Sequence, residues 1–297
     1  MDFEGKKIER QKSEKGSIEK LKSLILTDAQ YAEHPADHGE GRRAYIFELG
    51  SGGKKLLYFG SSHLVDPKDP MFEDIKARFD HFKPDMVYVE GMDDLVRAKD
   101  EVKALLLKEG LDKTKEEGEP LFALKLGIDA GADFESPEPN RAQEINYLVG
   151  KGLSKPDIFN YYAFRAIHGY LREHPLPSAD ECKKYLSPYL NRFRQASNWD
   201  PSELVALEQN VITNLDVTNH TFYREQVDPI PWHGKNLTAT NEVADQCSQY
   251  RDKYIFERIA EGLKTHDKIF VVYGSGHAVK QEPALKALFS EYYRDRE

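Results

Sequence analysis

Residues 54–63, KKLLYFGSSH, carry an apolar stretch into Gly60, two serines and His63, and the same element returns at 267–277 as DKIFVVYGSGH. A short continuous apolar run bounded by glycine reads as a strand buried on both faces, as in a parallel sheet. Upstream, AYIFEL (44–49) predicts a second strand, and Gly52-Gly53 between the two predicts a hairpin. Downstream, MFEDIKARFDHF (71–82) places Phe72, Ile75, Phe79 and Phe82 on one helical face. DMVYVEG (85–91) predicts the next strand and residues 94–108 a helix. Strand, helix, strand within this span is a βαβ unit, which implies a parallel sheet. Residues 119–130 predict another helix with Pro120 in its first turn, and GADFES (131–136) a further parallel strand stopped by Pro137-Glu138-Pro139.

Farther out the chain changes character. A short helix is expected at 17–26, followed by a loop marked by Pro35, Gly39 and Gly41. From Asn140 to Asn214 the pattern is helix after helix, rich in Tyr and Phe, and residues 215–240 read as a long loop because of Pro229, Pro231 and Gly234. A helix of about 25 residues from Asn241 leads into the 268–276 strand, and a last amphipathic helix starts at Glu282. The expected fold is therefore α/β: a central, mainly parallel sheet built from two related halves, with a helical insertion or cap. The divisions are 1–43 (helix and loop), 44–139 (first half), 140–240 (helical insertion and loop) and 241–297 (second half).

Composition limits the partners. With 42 basic against 51 acidic residues, a net charge of −9 argues against a nucleic-acid binder that neutralises phosphates along a backbone. The 2 cysteines, Cys182 and Cys247, cannot build a disulfide framework or a four-sulfur zinc site. No apolar run reaches the roughly 18 residues needed to span a bilayer. The first twenty residues hold no apolar core of the signal-peptide kind. A cytoplasmic protein without membrane partners is expected.

The recurring strand-Gly-x-x-His element carries the chemistry. Ligands of open parallel sheets bind at the carboxyl ends of the strands. A glycine there allows a tight turn and close backbone approach. His63 and His277, on neighbouring strands, would share one cleft although they are far apart in sequence. Imidazole can serve there as a general base or as a neutral metal ligand. Glu90 follows the VYV strand, Glu135 and Glu138 flank the end of GADFES, and Glu119 opens the helix before it. Carboxylates so placed can ligate a divalent ion, orient an imidazole, or carry a proton. The chain has no HExxH, Walker A or GxSxG motif.

Taken together, Gly60–His63, Glu90, Arg251-Asp252 and Gly274–His277 resemble the TraB/TIKI superfamily, which also takes in erythromycin-esterase-like enzymes and ChaN-like haem-uptake proteins. The stretch from Gly118-Glu119-Pro120 to Glu138-Pro139 is similar to the middle section of bacterial members. The resemblance covers roughly 44–150 and 241–290. It implies an α/β core whose halves meet at one site, with hydrolysis of an ester or peptide bond in a small-molecule or peptide substrate. His63, His277, Glu90 and Arg251 would be catalytic, Arg251 stabilising negative charge on a carbonyl oxygen or anchoring a substrate carboxylate. A divalent ion (Zn, Mn or Co) would sit on His63, His277, Glu90 and Glu138, with Glu119, Arg251 and Tyr254 facing the substrate. In the metal-free version one histidine deprotonates water directly while a glutamate holds its tautomer. The same scaffold also allows a non-catalytic binder of a small molecule or haem, the latter held by an axial His or Tyr.

Overall fold

The structure is a computed structural model, and it describes residues 16–34, 44–62, 66–91, 99–174, 177–229 and 237–292. His63 and the 94–98 part of the expected helix lie outside the described residues. The chain is an α/β protein with a mixed, mostly parallel sheet of 5 strands in the order β1-β2-β5-β3-β4.

The hairpin forms where Gly52-Gly53 predicts it. β1 (Tyr45–Ser51) pairs antiparallel with β2 (Lys54–Ser61), with Ser51 opposite Lys54. Gly52 and Gly53 turn the chain at φ of 54° and 76°. Positive φ at both central residues is the type I′ requirement, whose twist matches that of the strands. All other pairings are parallel: β5 (Lys268–Gly274) lies between β2 and β3 (Met86–Val89), and β4 (Asp133–Glu135) adds to β3.

Both faces of the sheet are covered, which is why the middles of its central strands, 56–59, 86–89 and 269–273, are apolar on both faces. Leu57, Phe59, Val87, Val89, Phe270 and Val272 pack on one face. They meet α2 (Pro70–Phe82), through Phe72, Ile75, Phe79 and Phe82, and α5 (Glu119–Ala130), through Phe122, Ala123 and Leu126. Alternate residues, Leu56, Tyr58, Tyr88, Ile269, Val271 and Tyr273, face the other way. There they pack on Ile255, Ile259 and Leu263 of α11 (Ala239–Thr265) and on Ala278, Ala284, Leu285 and Leu288 of α12 (Ser275–Tyr292). Leu21 and Ile25 join this second layer, residues 16–22 being helical. Two further helices, α3 (Lys99–Leu106) and α4 (Leu111–Lys115), precede α5, and α1 (Asp28–Ala32) precedes β1.

At Gly60 α12 comes close to the sheet. A β-carbon there would lie 2.7 Å from the Tyr45 carbonyl oxygen, 2.8 Å from Ala278 Cβ and 2.9 Å from Ser275 Cα. Two of those atoms are backbone and the third, an alanine Cβ, is bonded directly to it, so none can swing aside. Gly60→Ala is expected to destabilise the protein by about 1–3 kcal/mol, the usual cost of an overpacked core. A denaturant midpoint unchanged from the parent chain would contradict that close approach.

The chain divides into two compact units: residues 1–138 with 252–297, and residues 139–251. The second is helical, with α6 (Arg141–Gly150), α7 (Lys155–Glu173), α8 (Ala179–Ser197) and α9 (Pro201–Thr213) around an aromatic core that includes Phe159, Tyr162 and Phe193. One expectation is corrected here. Residues 215–240 are not all loop, because α10 (His220–Val227) forms within them. Asn219 caps it by accepting from the Phe222 N–H, and Phe222 and Tyr223 pack edge-on against Phe164 of α7. Ring contacts of both aromatics with Phe164, and burial of Tyr223, thus outweighed the nearby loop signals. Among the described residues no helix is long and apolar enough to cross a membrane.

Candidate functional site

The carboxyl ends of the four parallel-paired strands lie along one rim of the sheet, as parallel pairing requires. Glu90, one residue beyond β3, belongs to that rim. Its N–H donates to the Val272 carbonyl at 3.2 Å, and its carboxylate Oε2 accepts from the Gly274 N–H at 2.6 Å. Glu90 therefore bridges β3 and β5 just where the ladder ends. Gly91 follows with φ of 74°, and its N–H donates to Glu138 Oε1 at 3.3 Å, bringing in the residue three places past β4.

His277 reaches this rim from an unexpected element. The final helix was expected from Glu282, with the histidine on a loop, but α12 begins at Ser275 directly after β5 and carries Pro283 inside it. His277 is therefore in the first helical turn. Small residues make this possible: Ser275 fits against Gly60, and Gly276 lies beneath Tyr31, whose ring carbon Cζ would be 3.5 Å from a β-carbon there.

The imidazole is gripped from both sides. Nδ1 is 2.6 Å from Asp252 Oδ1, and Nε2 is 3.7 Å from Glu90 Oε1. The Tyr273 ring stands edge-on to it with centroids 5.8 Å apart. Asp252, at 1% exposure, also accepts from Gln281 Nε2 at 2.9 Å and pairs with Lys280 Nζ at 2.6 Å. Lys280 is buried too and pairs with Asp28 at 3.1 Å. Burial alone would raise the Asp252 carboxyl, but the His277 and Lys280 charges outweigh it and hold the group well below the usual carboxylate range. Burial would lower the Lys280 ammonium, yet Asp252 and Asp28 raise it above its ordinary value. An ionised Asp252 can only accept, so the Nδ1 proton belongs to His277, and in the neutral ring Nε2 is left with its lone pair toward Glu90.

These opposed shifts set a pH window. The depressed carboxyl stabilises the fold above its unfolded value of about 3.9, and this is lost as pH falls through the folded value. The raised ammonium stabilises below its unfolded value of about 10.4, and this is lost as pH rises through its folded value. Thermal midpoints should hence keep this contribution between roughly pH 5 and 9 and lose it below about pH 4. In Asp252→Asn the acid limb should flatten; an unchanged limb would detach it from this carboxylate.

The remaining candidates sit as follows. Glu119 is the buried first residue of α5. Glu135 takes a two-nitrogen contact from Arg258, at 2.6 and 3.1 Å, and so serves an ion pair beside β4. Tyr254 lies on α11 one turn before Arg258, half-buried. Arg251 is the last residue of the second unit, its Nε 3.9 Å from Glu144 Oε1. Glu144 is buried, accepts from Tyr162 Oη at 2.9 Å and is 3.3 Å from Arg141. The structure thus brings together His277, Glu90 and, through Gly91, Glu138.

From the sequence, Asp252 is marked only as the neighbour of Arg251 in the resembling motif, without a role of its own, and Lys280, Gln281 and Asp28 are not marked. A signal for Asp252 and Gln281 was present: Ile255 and Phe256 lie three and four places after Asp252, and Leu285 four after Gln281, all buried. A polar residue on an apolar helical face asks for a buried partner. As for a metal, His277 Nε2 and Glu90 supply two donors, while Asp252 is engaged by Nδ1. Among the described residues no group of three or more His, Cys, Asp or Glu side chains could hold an ion. No protein-family model, curated protein or solved structure matches the chain.

Proposed function

We propose that the rim carries a hydrolytic site in which His277 activates water against an ester or peptide carbonyl. The observation that supports it is the buried Asp252–His277 hydrogen bond with Nε2 turned to the strand ends. A separation of 3.7 Å between Nε2 and Glu90 Oε1 is too long for a direct hydrogen bond, and suits one water touching both atoms. Nε2 takes a proton from that water as its oxygen adds to the carbonyl carbon. Asp252 stabilises the imidazolium that forms, and the proton passes to the leaving alcohol or amine as the acyl bond breaks. Glu90, anchored by the Gly274 N–H, orients the water.

Turnover of a panel of aryl esters and fluorogenic peptides tests this, comparing the parent chain with Glu90→Gln. Hydrolysis by the parent that drops in the variant supports the reading. No turnover of any substrate from pH 5 to 9, together with a Soret band on haem titration, would replace it with the haem-binding alternative on the same scaffold.

A further inference from the structure

The segment ahead of the sheet meets the turn of α12 that bears His277 at three points. The Leu26 N–H donates to the Lys280 carbonyl at 3.0 Å, Asp28 pairs with Lys280 Nζ at 3.1 Å, and Tyr31 lies over Gly276. The segment is itself held in shape. Thr27 caps α1 reciprocally with Gln30, the Gln30 N–H reaching Thr27 Oγ1 at 3.2 Å and the Thr27 N–H reaching Gln30 Oε1 at 2.9 Å. Asp28 is 6% exposed, so its carboxylate is presented to Lys280 out of water. Lys280 in turn touches Asp252 Oδ2, the oxygen that His277 does not use.

We propose that residues 26–31 are a clamp for the site, with Lys280 and Asp28 as positioning residues that fix the Asp252 carboxylate and so the His277 ring. A carboxylate bound at one oxygen only can rotate about its Cβ–Cγ bond. Lys280, on the other oxygen, stops that rotation, and Asp28 fixes Lys280. Neither residue needs to touch substrate. Removing a partner one step behind a metal-bound imidazole changes activity about 10–100-fold, and the same order is expected for this imidazole, whose orientation is fixed in the same way. The importance for turnover rests on the hydrolytic reading above, whereas the clamp itself can be observed without any substrate.

The test therefore has two readouts. In the folded parent chain, proton NMR should show a downfield Nδ1–H resonance from the His277–Asp252 bond, assigned by its loss in His277→Gln. Lys280→Met should move or broaden that resonance into solvent exchange under conditions where circular dichroism shows the chain folded, and Lys280→Arg should restore it. Asp28→Asn, which keeps an acceptor and leaves Lys280 in place, should shift it less. If the hydrolytic reading also holds, kcat falls about 10–100-fold in Lys280→Met with KM little changed. A resonance unaltered in folded Lys280→Met overturns the clamp, whatever the activity does. Should Lys280→Met not fold, Asp28→Asn decides, since an identical spectrum there overturns it equally. An altered resonance in a chain with no turnover keeps the clamp and removes the hydrolytic reading alone.

Discussion

His277→Ala should lower kcat/KM on any ester or peptide the protein turns over by about 10²–10⁴-fold, the range carried by one positioned general base. The substitution removes Nε2, the atom placed 3.7 Å from Glu90 Oε1, and takes away one of the two donors on Asp252 Oδ1. Because the ring is on the first turn of α12 at the rim, little apolar core leaves with it. Asp252 keeps Lys280 and Gln281, so folding should survive. Steady-state kinetics beside a thermal melt read both quantities. Activity that persists in a folded His277→Ala chain would show the water to be activated elsewhere.

Asp252→Ala should do the reverse in stability, costing about 3–5 kcal/mol, because it removes one of the counter-charges of the buried Lys280 ammonium and breaks a buried hydrogen-bonded network. Lys280 would lose one of its two buried carboxylate partners and keep Asp28, while Gln281 Nε2 and His277 Nδ1 would lose their acceptor. The isosteric Asp252→Asn separates charge from shape. An amide can donate to Nδ1, which moves the ring proton to Nε2 and removes the lone pair that accepts from water. Denaturant titration should thus place Asn between the parent and Ala, while turnover in Asn falls as far as in His277→Ala. An Asp252→Ala chain as stable as the parent would mean that water already reaches Lys280.

The fold could be read from the chain because its strands are governed by local pattern. Residues 56–59 and 269–273 are apolar without alternation, and Gly52-Gly53 supplies the two left-handed residues a tight hairpin needs. Glu90 could be picked out in the same way, as a charge directly after a buried strand. Asp252, Lys280 and Asp28 could not be joined by such means. They come from three helices, and what links them is the packing of α1 and α11 on α12, which leaves no fixed spacing in sequence. α10 was hidden for a related reason, since Phe222 and Tyr223 signal a helix only once Phe164 is beside them. The second Gly-x-x-His element was recognised, but its conformation was misread. Ser-Gly-His looks like a loop, yet the helix starts at Ser275, whose backbone seats closely against Gly60.

β5 passes into α12 with no connecting residue, and this limits how the chain can change length over evolutionary time. An extra residue between Gly274 and His277 would turn the imidazole about 100° around the helix axis and displace it about 1.5 Å along it. No loop is present to absorb either movement. The exposed turn between α3 and α4, residues 107–110, is under no such constraint from His277, so divergent copies of this protein should gain and lose residues there while the Gly-x-x-His spacing stays at its present value. Deep mutational scanning with single-residue insertions would expose that contrast as a sharp intolerance confined to 274–277.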